Sequence, residues 1–234
     1  MKLCKTYVVR VCLFLLAALP AYCQRGNIGV DVGATSDTFA GLPTNTAPAV
    51  DLNGEVAILA YKPKTQRPAI VAGGEARFPG NAAKEHAKEY SLYGGIHWQF
   101  GNLMVGIDVG VRKVYLPVAF VDNQFFARDR MKLLETPVVL RYKFGPDKKL
   151  FIEAKGFPAF TPHWSSSGAA LQLPNPKFDH GYFVQGSIGY NFGKWYAKGT
   201  YENRYFSFIQ NPNNPSNLYN WRNNYVAGGV GLNF

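Results

Sequence analysis

The sequence predicts an all-β fold: a closed antiparallel up-and-down transmembrane β-barrel of about ten strands, with eight as the alternative count. Three observations lead there. Segments of about ten residues alternate apolar and polar side chains, and a period of two belongs to strands, whose successive side chains point to opposite faces. Beyond the N-terminal leader, no run of ~18 apolar residues could cross a membrane as a helix. The connections between segments alternate short and long, as they do in membrane barrels.

The chain has 234 residues, 47% hydrophobic and 17% charged. That length fits one barrel domain, and that balance is too apolar for a disordered chain. The first 23 residues read as a secretory signal peptide. Lys2, Lys5 and Arg10 form the basic part, Val11 to Ala21 the apolar part, and Ala21 and Cys23 place cleavage before Gln24. Tyr22, ahead of Cys23, argues against a lipidated cysteine. The division is therefore 1–23 signal peptide and 24–234 barrel domain. Cys4, Cys12 and Cys23 all lie in the leader, so the mature chain offers no disulfide, thiolate nucleophile or cysteine metal site. The formal charge is +10; without Lys2, Lys5 and Arg10 it is +7. The basic residues are scattered and match no nucleic-acid motif, so no nucleic-acid partner is expected, and anionic lipid headgroups are the nearer partner.

The strands follow in order. Asn27 to Ala34 sets Ile28, Val30 and Val32 against Asp31. Val50 to Tyr61 sets Val50, Leu52, Val56 and Ile58 against Asp51, Asn53 and Glu55. Ala69 to Phe78 sets Ile70 and Phe78 against Glu75 and Arg77. Glu89 to Phe100 sets Tyr90, Leu92, Ile96, Trp98 and Phe100 against Ser91, His97 and Gln99. Leu103 to Tyr115 sets Val105, Ile107, Val109 and Val111 against Asp108 and Arg112. Leu133 to Phe144 sets Leu134, Val138, Leu140, Tyr142 and Phe144 against Glu135, Arg141 and Lys143. Leu150 to Phe157 sets Ile152 and Ala154 against Glu153 and Lys155. Tyr182 to Phe192 sets Val184, Ile188, Tyr190 and Phe192 against Gln185, Ser187 and Asn191. Trp195 to Phe206 sets Trp195, Ala197 and Tyr201 against Lys198, Glu202 and Arg204. Tyr225 to Phe234 closes the set, with Val226, Val230, Leu232 and Phe234 on the apolar face. The first and seventh segments are the shortest, and dropping them would give eight strands.

Short connections fall at 62–68, Gly101-Asn102, 145–149 and Gly193-Lys194, with the turn chemistry of Gly-Asn, Gly-Pro-Asp and Gly-Lys. Long ones fall at 35–49, 79–88, 116–132, 158–181 and 207–223. Trp98, Phe100, Tyr142, Phe144, Tyr190, Phe192, Trp195 and Phe234 gather beside the short turns as one aromatic girdle. Tyr90, Tyr115, Tyr182, Tyr205 and Tyr225 suit a second at the opposite strand ends. Pro137 cannot donate to a ladder and is expected at a bulge.

The terminal alternation Val230, Leu232, Phe234 and the stretch Glu135-Thr136-Pro137-Val138-Val139-Leu140-Arg141-Tyr142 carry a resemblance that spans the mature chain. The chain resembles the bacterial outer-membrane β-barrel family, in particular the small barrels like the OmpA transmembrane domain. The resemblance implies a place in the cell outer membrane of a Gram-negative envelope and export through the periplasm. It implies outer-membrane lipid, lipopolysaccharide and the barrel-assembly machinery as partners. It also implies that Val230, Leu232 and Phe234 act as the C-terminal sorting signal.

On that reading the apolar face meets lipid and the charged face lines the lumen. Glu55, Glu75, Arg77, Asp108, Arg112, Glu135, Arg141, Glu153, Lys155, Lys198, Glu202 and Arg204, with Asp31 and Lys143, form a nearly balanced set. Buried charges need partners, so a lumen plugged by salt bridges is expected ahead of a narrow passive pore. The histidines (His86, His97, His163, His180) match no zinc spacing, and no cofactor, metal site or catalytic set is assigned. Asp179-His180 is similar to the rim pair of omptin proteases, but a second Asp pair is missing and Asp129 stands alone. Ser91 and His97 fall on the lumen face, where a lipid-A-modifying hydrolase has no use for them. Lys84, Lys88, Arg128, Arg130 and Lys132 could meet lipopolysaccharide phosphates. Gln210 to Asn220 reads as an aperiodic polar loop.

Overall fold

The computed structural model describes residues 25–39, 44–61, 67–80, 88–121, 124–158, 160–166, 177–211 and 214–234; at 116–131, 158–178 and 210–219 it describes at most the backbone. The expected signal peptide, residues 1–23, lies outside the described residues. The strands are β1 (Arg25–Phe39), β2 (Asn45–Leu59), β3 (Ala69–Pro79), β4 (Lys88–Phe100), β5 (Leu103–Val121), β6 (Gln124–Glu135), β7 (Val138–Phe144), β8 (Leu150–Pro158), β9 (Phe160–Ser166), β10 (Lys177–Asn191), β11 (Trp195–Asn211) and β12 (Asn214–Asn233).

All pairings are antiparallel, and the ring closes. β1 pairs with β12 from Asn27↔Asn233 to Phe39↔Trp221, and β4 with β5 from Lys88↔Tyr115 to Phe100↔Leu103. β6 and β7 occupy one wall position beside β5, and β8 and β9 the next, so the twelve segments make ten barrel strands. Ten strands replace the alternative of eight, and the two short segments are full wall strands. Closure satisfies every ladder in the bilayer, where an open edge is not tolerated.

Pro137 corrects an expectation. The register is unbroken across it, since Gly110↔Glu135 and Ile107↔Val138 lie in one frame, so no bulge is present there. Its carbonyl accepts from the Asp108 amide at 3.0 Å. The ladder loses only the one bond that a proline nitrogen cannot return, which splits β6 from β7.

Gly101, Gly145 and Gly193, with φ of 61°, 78° and 89°, make the short turns. Those values are left-handed backbone that favours glycine. Among the described residues, much of the long connections is strand. β11 and β12 run 17 and 20 residues and still pair at Asn211↔Asn214. β5 and β6 pair out to Val121↔Gln124. A tilted crossing needs ~9–11 residues, so these hairpins carry the wall well past the membrane. The stretch read as an aperiodic loop, 210–220, belongs mostly to this β11–β12 hairpin.

The side chains sort accordingly. Ile28, Val30, Leu52, Leu92, Ile107, Val138, Ile188 and Val230 are among many large apolar residues exposed on the outer face. Tyr142 and Phe144 pack 4.7 Å apart near the short turns, as do Tyr190 and Phe192 at 4.8 Å. At the other border Tyr90 meets Phe78 and Tyr115 edge to face at 5.7 and 5.9 Å, and Tyr182 stacks on Tyr205 at 5.8 Å. Tyr225 belongs to neither girdle. It is 1% exposed, inside the lumen, because it shares the inward phase of Asn223 and Ala227.

Above the Tyr201 and Val226 level the polarity of the wall inverts. Outward positions become polar, with Asn203 bonded to Asn224 at 2.6 Å, Ser36 to Thr46 at 2.9 Å, and Arg222 exposed. Large apolar side chains now turn inward: Val114, Leu133, Phe206 and Trp221 are at most 1% exposed, beside the buried polar Asp37, Ser207 and Asn223. Lipid demands an apolar outside; a barrel extension in water demands an apolar inside. The inversion therefore marks the membrane border.

Candidate functional site in the barrel lumen

The lumen is built in three layers. Nearest the short turns is a vestibule of about 430 Å³ whose lining reaches Asp147, Lys148 and Gly193. Most of its charges are tied in pairs. Arg141 Nε donates to Glu153 at 2.6 Å, Tyr93 OH to Glu55 at 3.1 Å, and Lys198 Nζ lies 3.0 Å from Asp31. Lys155 stands 3.9 Å from Glu153, with its ammonium 5.4 Å over the Tyr93 ring. His97 and Asp108 bond at 2.9 Å. Gly29 and Gly231 give the Tyr196 ring room to lie against β1 and β12; a Cβ on either would strike it.

The second layer lies level with the upper border of the apolar belt, and it crosses the lumen. Arg77 donates from both terminal nitrogens to Glu202, at 2.7 and 2.9 Å, and also reaches Asp51 at 3.2 Å and Glu75 at 3.1 Å. Arg112 donates to Glu135 at 2.6 Å, Glu89 at 3.0 Å and Glu75 at 3.2 Å. Arg204 pairs with Glu89 and, at 2.8 Å, with Glu202. β11 and β4 are five positions apart in a ring of ten, so Arg204–Glu89 spans the diameter. Arg77, Glu89, Glu202 and Arg204 are at most 1% exposed. Three planar forks, each holding at least two carboxylates, make a rigid lattice; lysine, a point charge on a flexible stem, could not supply the same geometry. Arg77 also lies 3.8 Å over the Tyr225 ring.

The third layer is built on aromatic rings. Phe206 stacks on Trp221 at 5.6 Å, Phe157 packs on Phe183 at 5.3 Å, and the Arg204 guanidinium sits 5.0 Å over Phe183. The indole nitrogen of Trp221 donates to Asp37 at 2.9 Å.

All twelve predicted lumen residues face inward, but they divide. Glu75, Arg77, Arg112, Glu135, Glu202 and Arg204 join the second layer. Glu55, Asp108, Arg141, Glu153, Lys155 and Lys198 line the vestibule region or pair beside it. Glu89 and Asp51 belong to the second layer and were absent from that set. Glu89 shares the inward phase of Ser91, which could have found it. The aromatic layer was missed too, although Phe183, Phe206 and Trp221 lie in phase with Gln185, Arg204 and Asn223.

The other candidates stay apart. Ser91 and His97 are both buried in the lumen, six residues apart on β4, about 20 Å along the strand, so they form no pair. Asp179 and His180 bond at 2.8 Å, and both are exposed at the rim. The side chain of Asp129 lies outside the described residues. Among the described residues, no three of His, Cys, Asp and Glu gather as a metal site. Lys88 and Lys132 point outward at the belt's upper border. Lys84, and the side chains of Arg128 and Arg130, lie outside the described residues. Val230, Leu232 and Phe234 face outward, and Phe234 exchanges backbone bonds of 2.7 and 2.9 Å with Gly26 at the β1–β12 seam.

No family model and no curated protein matches the chain. Among solved structures, the outer membrane protease OmpT from Escherichia coli aligns with a TM-score of 0.53 at 10% identity, over 90% of this chain and 97% of that one. Neisserial surface protein A aligns at 0.44 with 9% identity, over 89% and 97%. The Ralstonia pickettii toluene transporter TbuX aligns at 0.34 with 9% identity, over 93% and 91%. The likeness to OmpT is one of fold. Together with the chain's own apolar belt, charged lumen and closed ring, it gives the chain the fold of an outer-membrane β-barrel.

Proposed function

We propose that the chain is a non-enzymatic integral barrel of the small OmpA-like kind, with a structural, surface-interaction or small-solute role and a lumen that does not conduct. The carrying observation is the arginine–carboxylate layer that crosses the full diameter, backed by the aromatic layer above it. Small solutes entering the vestibule meet that layer. The leader directs export, and Val230, Leu232 and Phe234 present the closing strand to the assembly machinery. The interaction surface is the group of hairpins that stand beyond the membrane.

A hydrolase reading has one observation in its favour, the Asp179–His180 bond at the rim. It lacks a second acid pair among the described residues, and the ring of Tyr205, 5.5 Å from His180, gives the imidazole a packing role. The test is a cleavage assay on the refolded barrel in lipid A-containing vesicles, with peptide and lipid A substrates, for wild type, Asp179→Ala and His180→Ala. The expected result is no turnover by any of them. Turnover by wild type that is lost in His180→Ala, with all three still folded, would replace this reading by the hydrolase.

A further inference from the structure

We propose that Lys113 on β5 and Lys132 on β6 form a binding site for the phosphate of an outer-leaflet lipid headgroup. The two are register partners, directly opposite one another, and both are exposed on the outer face. Like charges placed so disfavour the pairing of their strands. No carboxylate among the described residues offsets them. The nearest acids of the same strands whose side chains are described, Asp108 and Glu135, point inward and are bonded to His97 and Arg112. Lys88 adds a third ammonium one row further out, where it is half-buried beside its register partner Tyr115.

The setting points to a lipid and not to a dissolved anion. Lys113 sits in one row with Tyr90 and Lys132. One step toward the short turns lies the row Leu92, Val111, Leu134, exposed by 74%, 48% and 47%. Charged donors thus stand immediately above bare apolar wall. A phosphate carrying acyl chains fills both levels; a free phosphate fills only the upper one. A phosphate accepting hydrogen bonds from both ammonium groups converts the repulsion into two charge-assisted contacts.

The proposal rests on the reading that the long hairpins face outward. The test uses the full barrel in zwitterionic detergent and in phosphatidylcholine nanodiscs containing lipid A, with wild type, Lys113→Glu, the pair Lys113→Gln/Lys132→Gln, and Lys148→Gln at the short turns. In detergent, Lys113→Glu should melt above wild type, because it now faces Lys132 with the opposite charge. Native mass spectrometry should show lipid A retention falling about tenfold in Lys113→Glu and in the Gln pair, unchanged in Lys148→Gln, and resistant to excess inorganic phosphate. Equal retention by all variants would overturn the proposal, as would an equal loss in Lys148→Gln or full displacement by inorganic phosphate. Heat-modifiable gel migration verifies that each variant is folded. Asn102→Cys, at a short turn, tests orientation separately: labelling by an impermeant reagent on intact cells would sink the underlying reading, whereas correct orientation with equal retention sinks the site alone.

Discussion

Replacing Arg77 by Met removes the guanidinium that holds Glu202, Asp51 and Glu75 together and keeps most of the volume. Arg77 is 1% exposed and Glu202 is fully buried. Breaking a buried pair from one side costs about 3–5 kcal/mol, because the carboxylates left behind stay desolvated. Here Glu202 keeps only Arg204, Glu75 keeps only Arg112, and the nearest cation to Asp51 is gone. The loss corresponds to a drop in the folding equilibrium on the order of a hundred- to a few-thousand-fold. The assay is urea unfolding of the barrel in lipid vesicles, followed by the heat-resistant gel band and tryptophan fluorescence. The double variant Arg77→Met/Glu202→Leu removes the orphaned carboxylate as well, since Arg204 still holds Glu89. It should recover a good part of the loss, a coupling of about 2 kcal/mol. A single variant within about 0.5 kcal/mol of wild type, or a double variant equal to the sum of the singles, would refute the lattice as a coupled buried unit.

Ile188, 57% exposed near the middle of the belt on β10, should not accept a charge: Ile188→Arg is expected to lower barrel stability by about 2–4 kcal/mol, measured by the same unfolding, and a neutral result would mean that this face does not meet lipid. Removing Phe234 should reduce the fraction of heat-modifiable barrel recovered in the outer membrane, through loss of the exchange with Gly26 and of the proposed sorting residue; normal recovery would leave Phe234 without that role. Pro137→Ala should be close to neutral, since the regained ladder bond to Asp108, about 0.5–1.5 kcal/mol, is offset by the greater freedom of the unfolded chain, about 0.4–1 kcal/mol; a large loss would show that the proline does more than interrupt the ladder.

The membrane-embedded half of the barrel was legible because lipid imposes one rule at every strand. Asn27 to Ala34 and Leu150 to Phe157 are short, yet their alternation was enough, and both are wall strands. The inward phase also identified the charges, since nothing else could tolerate Arg77 or Glu202 beside Phe78 and Tyr201. The extension above the membrane was illegible for the same reason. Past Tyr201 and Val226 the rule reverses, and Asn224, Arg222, Asn203 and Tyr205 outside with Trp221 and Phe206 inside looked like the loss of a pattern when it was the inverse pattern. Tyr225 fell at the turning point, where an aromatic suits a girdle and a lumen equally; its phase with Asn223 and Ala227 turns it inward, against Arg77. The pairing of Lys113 with Lys132 depends on the register of β5 against β6, which alternation alone does not set.

Single-channel recording in planar bilayers tests the closed lumen most directly. Wild type should insert without steady conductance, and Arg77→Met or Glu202→Gln should show openings, because the layer that crosses the diameter has lost its central bidentate pair. A stable ohmic conductance in wild type, unaltered by either substitution, would contradict the closed lumen.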